Sequence, residues 1–220
     1  MKTGRFWLPI LLSIAAGSVN AKELSGAELL AQAIYADRRP LPLPSSQNYT
    51  EVLTILREAA TGRERMIGSS LLSQGRCLSI LIDDGDQPTI DYFMDIFLRS
   101  RGKVQMAFDV FRETAQPMLI PQLAKALSDT DFSAQVVGGD VVFGSFSGMS
   151  ARGILHIVSN SEAFQFLARA TASHYLQHIP NDRELIAALE KWWQANRDAF
   201  ARQAYMEVTP LPEIELPRKL

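Results

Sequence analysis

The chain has 220 residues, 47% hydrophobic and 21% charged, with a formal net charge of −2. A mildly acidic chain of this kind carries no electrostatic footprint for nucleic acid or an anionic membrane surface. The length suffices to bury one core without covalent staples, and Cys77, the single cysteine, cannot form an internal disulfide.

Residues 1–21 read as a secretory signal peptide. Lys2 and Arg5 form a positive start, Phe6 to Ala16 is mostly apolar, and Val19 and Ala21 are small residues at the −3 and −1 positions of a cleavage site. The apolar run is shorter than the roughly 20 residues a spanning helix needs. The expectation is a periplasmic or secreted protein with no stable membrane insertion after cleavage. Losing Lys2 and Arg5 takes the net charge from −2 to −4. The remainder divides into a single α-helical domain over 22–205 and a proline-containing tail over 206–220.

Ser25 and Glu28 form a capping-box pair ahead of a helix carrying Ala27, Leu30, Ala31 and Ile34 at helical spacing. Pro40, Pro42 and Pro44 then enforce an extended linker. A second helix follows with Val52, Leu53, Leu56 and Ala60 on one side. The stretch "RERMIGSSLLSQGRCLSILI" reads as a third, well-buried helix, with Cys77 packed as a small hydrophobe. It ends at "DDGD", where Asp86 is placed to cap the next helix and Pro88 falls in its first turn. Ile90, Phe93, Met94 and Phe97 make that helix's apolar stripe. Helices over "KVQMAFDVFRETA" and "PMLIPQLAKALSD" come next, the latter starting near Ile120 with Leu123 and Leu127 facing in.

Residues 131–150, "DFSAQVVGGDVVFGSFSGMS", break the helical pattern. Valines flank Gly138 and Gly139, so the segment reads as a small hairpin or an ordered loop. A segment that departs from an otherwise uniform pattern is where function is expected. Val137, Gly138, Gly139, Asp140, Phe143 and Phe146 are the candidate binding residues. Helices then resume. Phe164, Leu167, Ala168, Thr171, His174, Tyr175 and His178 read as one stripe. After Pro180, Asn181 and Glu184 open a last helix whose buried line is Leu185, Leu189, Trp192, Asn196 and Phe200, with Ile186 and Trp193 beside it.

The fold expected is all-α: antiparallel helix pairs in an α-solenoid-like arrangement with a short insertion near 131–150. "PQLAKALSD" resembles the first helix of a HEAT-like unit, and "LIAALEKWWQANRDAF" resembles the W-W-x-x-N-x-x-x-F ending of some exported HEAT-like or armadillo-like proteins. The resemblance lies mainly in residues 117–128 and 182–200. It implies a helical-repeat scaffold that binds another protein.

Chemistry-bearing motifs are thin. His174 and His178 lie one helical turn apart, the spacing a zinc enzyme uses, and His156 is the only other histidine. A zinc hydrolase of the H-E-x-x-H kind needs Glu beside the first His, where this chain has Tyr175. The preferred reading is a helix end whose imidazoles meet the last carbonyls. "GSFSG" fails as a nucleophile elbow because Phe146 stands where Ser is needed. "VVGGDVVFG" is not a dinucleotide fingerprint. The acidic spacing of "DDGD" is wrong for calcium. Asp91 and Asp95 lie opposite the apolar stripe of their helix, a solvated face. Trp192 and Trp193 fit core packing. With no catalytic set and no cofactor implied, the expectation is a non-enzymatic protein-binding module, such as an immunity protein against a secreted toxin or an envelope adaptor. The alternative is a metal-dependent periplasmic hydrolase using His156, His174 and His178.

Overall fold

The computed structural model describes residues 23–63, 65–67, 70–102, 106–129, 132–137, 140–178 and 180–214. The expected signal peptide and the end of the tail lie outside the described residues. Along the chain run α1 (Gly26–Asp37), α2 (Tyr49–Ala60), β1 (Arg65–Ile67), β2 (Ser70–Leu72), α3 (Gln74–Asp83), α4 (Gln87–Arg99) and α5 (Met106–Glu113). A 3-10 turn over Pro117–Leu119 leads into α6 (Ile120–Lys125), then β3 (Phe132–Val137), β4 (Asp140–Ser145), α7 (Phe146–Asn160), α8 (Phe166–His178) and α9 (Asp182–Ala201). The fold is all-α, with the strands confined to two antiparallel pairs among the described residues.

Local signals account for the helix starts. Ser25 and Glu28 close a reciprocal capping box on α1. Asp86 sits at the N-cap of α4, with Pro88 in the first turn. Its carboxylate takes the Arg57 guanidinium and the Thr89 hydroxyl. Asn181 caps α9 by accepting from the Arg183 N–H.

Two boundaries differ from the sequence reading. The third helix begins only at Gln74; residues 65–67 and 70–72 are a strand pair in which Met66 pairs with Leu71 and Ile67 with Ser70. The apolar residues here alternate, with Ile67 and Leu72 buried and Met66 and Leu71 exposed, so the period is two rather than 3.6. Residues 146–150, grouped with the irregular segment, are instead the first turn of α7. The Ser145 hydroxyl accepts from the Gly148 N–H at 2.9 Å and starts the helix.

The helices stack along the chain order. α3 packs on α2, α4 and α5; α5 packs on α7; α7 packs on α6, α8 and α9. Hydrogen bonds show how they are aligned. Arg38, just past α1, donates to Ser79 on α3 and to the carboxylate and carbonyl of Glu113, the last residue of α5. Asp83, the last residue of α3, accepts from the Thr114 hydroxyl at 2.6 Å and the Ala115 N–H at 2.7 Å, just past α5. Asn160, the last residue of α7, donates to the carbonyls of Arg112 and Thr114. The C-terminal ends of α1, α3, α5 and α7 therefore share one edge, and these helices run in the same direction. Orphan carbonyls and helix-end polar groups are satisfied there by neighbouring helices. The result is an all-α fold of packed helix pairs. Both strand pairs lead into N-termini, of α3 and α7, and so lie at the opposite edge.

Phe93, Phe97, Phe111 and Phe146 fill the centre, with Phe97 and Phe111 edge to face at 5.1 Å between centroids. A second aromatic group, Phe164, Trp192, Phe200 and Tyr205, closes the C-terminal end. Cys77 is fully buried, and burial pushes its thiol up to about 12.

Candidate functional site

The segment singled out in the sequence is an antiparallel hairpin, β3 with β4. Its register pairs Phe132 with Ser145, Ala134 with Phe143, Val136 with Val141 and Val137 with Asp140. Gly138 and Gly139 stand between the last pair and lie outside the described residues. The pair is two-stranded, so its outer edges have no strand partner among the described residues. Helix α7, into which β4 runs, packs against it.

Phe146 does not belong with the other candidate binding residues. It is buried at the start of α7, with its ring 5.1 Å from that of Phe97. It anchors the base of the hairpin in the core. Gly148 makes this junction possible, since a Cβ there would lie 2.9 Å from Asp182 Oδ2. Asp182, also held by Arg152 at 2.7 Å, thus brings a carboxylate against the N-terminal turn of α7.

The histidines are not gathered. The rings of His174 and His178 lie tilted against each other with centroids 4.2 Å apart, and His178 Nδ1 donates to the His174 carbonyl at 2.9 Å. Both are exposed, as is Leu167; the buried line of α8 is Ala168, Ala172 and Tyr175, with Phe164 just ahead of it. The stripe read from the sequence therefore holds at Phe164, Ala168 and Tyr175 and fails at Leu167, His174 and His178, which face solvent. His156 sits half-buried on α7, where burial and the nearby Arg112 and Arg152 lower its pKa. Among the described residues no three His, Cys, Asp or Glu side chains form a group able to hold a metal. The trio His156, His174 and His178 is therefore not assembled.

A cleft of about 350 Å³ opens beside the shared C-terminal edge, lined by Arg38, Arg39, Pro40, Leu41, Ile80, Asp83 and Asp84. Burial raises the pKa of Asp83 against the opposing hydrogen bonds from Thr114 and Ala115. Arg38 is tied to Glu113 and Arg39 to Asp37, so these charges serve helix ends. Asp91 and Asp95 are exposed, the first accepting from Gln87 and the second paired with Arg99.

Sequence reading missed the tail. Residues 208–214 are extended and docked, with Val208 and Leu211 buried. One signal was present: Asn196 stands in an otherwise apolar buried line, and a buried amide needs partners. It finds them in Thr209. Comparison with family models, with curated proteins and with solved structures found no match.

Proposed function

We propose that the chain is an exported, non-enzymatic helical module that binds another protein through the hairpin 132–145. The observation that carries this reading is the hairpin itself: a ladder of six paired positions whose outer strand edges have no strand partner among the described residues. Open edges template pairing with another chain, and natural sequences usually guard them with Lys or Pro. Between Phe132 and Ser145 there is neither, and Asp140 is the only charge. The signal-like residues 1–21 support export, and the stacked helix pairs suit a HEAT-like scaffold. An immunity protein against a delivered toxin or an envelope adaptor fits this class.

The test replaces Val136 and Val141, a cross-strand pair of the ladder, with Lys. Helicity and thermal midpoint should match the parent chain, while cross-linking to one stoichiometric envelope protein should be lost. A variant that retains the same cross-linked partner with unchanged affinity removes the hairpin from the interface.

A further inference from the structure

Helix α7 is buried along all but one strip. Of its 15 residues, only Arg152, His156, Ser159 and Asn160 reach the surface. Their spacing of four, three and one residues puts them on one face. Helix α5 flanks this strip. Asn160 donates to the Arg112 carbonyl at 3.0 Å, so the last turn of α5 lies against the last turn of α7. The two helices run in the same direction, and helical side chains lean toward the N-terminus. Arg112 is thus carried back along the strip toward His156. The charges that act on the half-buried imidazole are accordingly those of Arg112 and Arg152, both positive.

The acidic groups nearby are committed elsewhere. Glu113, next to Arg112, is held by Arg38 and Ser79. Asp109, one turn before Arg112, lies against Gly75 of α3. Asp182 accepts from Arg152 at 2.7 Å, which leaves further donors on that guanidinium. Arg112 is exposed and pairs with no carboxylate among the described residues. Other surface arginines are neutralised: Arg38 by Glu113, Arg57 by Asp86, Arg99 by Asp95 and Arg202 by Glu207. In a chain of net charge −2, the strip is therefore a local excess of positive charge. A solvated face of an acidic protein has no need to gather cations in this way. Guanidinium forks match the oxygens of phosphate and carboxylate groups, and the imidazole N–H and the Ser159 hydroxyl add donors.

We propose that Arg112, Arg152 and His156 form a binding site for an oxyanion, the phosphate or carboxylate group of a small ligand, on the strip where α7 reaches the surface beside α5. The site is separate from the hairpin and does not rest on the function proposed for it.

The experiment titrates the full chain with inorganic phosphate at pH 7 and constant ionic strength and follows the histidine ring C–H resonances by NMR. His156→Gln assigns the His156 signal. That signal should move saturably, while those of His174 and His178 stay in place. Arg112→Gln, at an exposed position, should keep the helicity and thermal midpoint of the parent chain and weaken phosphate binding at least about ten-fold. A parallel titration with acetate separates the two sources, the tighter ion naming the ligand group. Equal movement of the His156 signal with chloride alone would reduce the effect to ionic strength and overturn the proposal. So would parallel shifts of all three histidines, the absence of any saturable shift with either ion, or unchanged phosphate binding by Arg112→Gln.

Discussion

Gly153 on α7 meets the ring of Phe111 on α5 so closely that a Cβ built on it would lie 3.1 Å from Phe111 Cδ2. Phe111 is itself 2% exposed and wedged edge-on against Phe93 and Phe97, so it has little room to yield. Gly153→Ala should therefore destabilise the fold by about 1–3 kcal/mol despite the better helix propensity of Ala. Urea unfolding followed by circular dichroism reads this; an unchanged or raised midpoint would mean that α5 and α7 are not in this contact.

Asp86 joins α2 to α4 through Arg57 and holds the Thr89 hydroxyl. Burial works against its charge, but the Arg57 and Thr89 bonds outweigh it and lower the pKa. A carboxylate depressed in the folded state adds stability above its unfolded pKa, and that share is lost as pH falls through the folded value. Asp86→Asn should cost about 1–3 kcal/mol at neutral pH. It should also flatten the fall in stability below about pH 4. An equal acid slope in both chains would show that Asp86 is not the linked group.

His156 behaves in the opposite chemical sense with the same outcome. Its folded pKa is lowered, so the unfolded chain binds the proton more readily. Stability should fall as pH drops below about 6.5, the unfolded imidazole value. His156→Gln should remove part of this slope between about pH 7 and pH 5. Thermal midpoints across that range check the expectation, and parallel curves would refute it.

Cys77 is fully buried, with its thiol pushed up to about 12, so little thiolate forms at mild pH. A thiol reagent at about pH 8 should label it only after unfolding. Rapid labelling of the native chain, at the rate seen in denaturant, would contradict this burial.

The helices were legible wherever an apolar stripe and a cap coincided. Ile90, Phe93, Met94 and Phe97 are buried as their spacing demanded, and so is the line from Leu185 to Phe200 in α9. Short segments were harder to read. Met66, Ile67, Leu71 and Leu72 satisfy a helical and an alternating pattern alike, and strand pairing decided between them. Phe146 looked like part of a loop because nothing in its neighbourhood states that Ser145 caps a helix there.

By itself, the sequence determined the all-α class, the start of most helices and the identity of most core side chains, because capping and periodicity are local properties of the chain. Only the tertiary structure decided which helix ends share an edge, that His156 stays apart from His174 and His178, and that the tail docks on Tyr175, Trp192 and Asn196. These depend on contacts between residues distant in the chain, and no local pattern encodes which distant surfaces will meet.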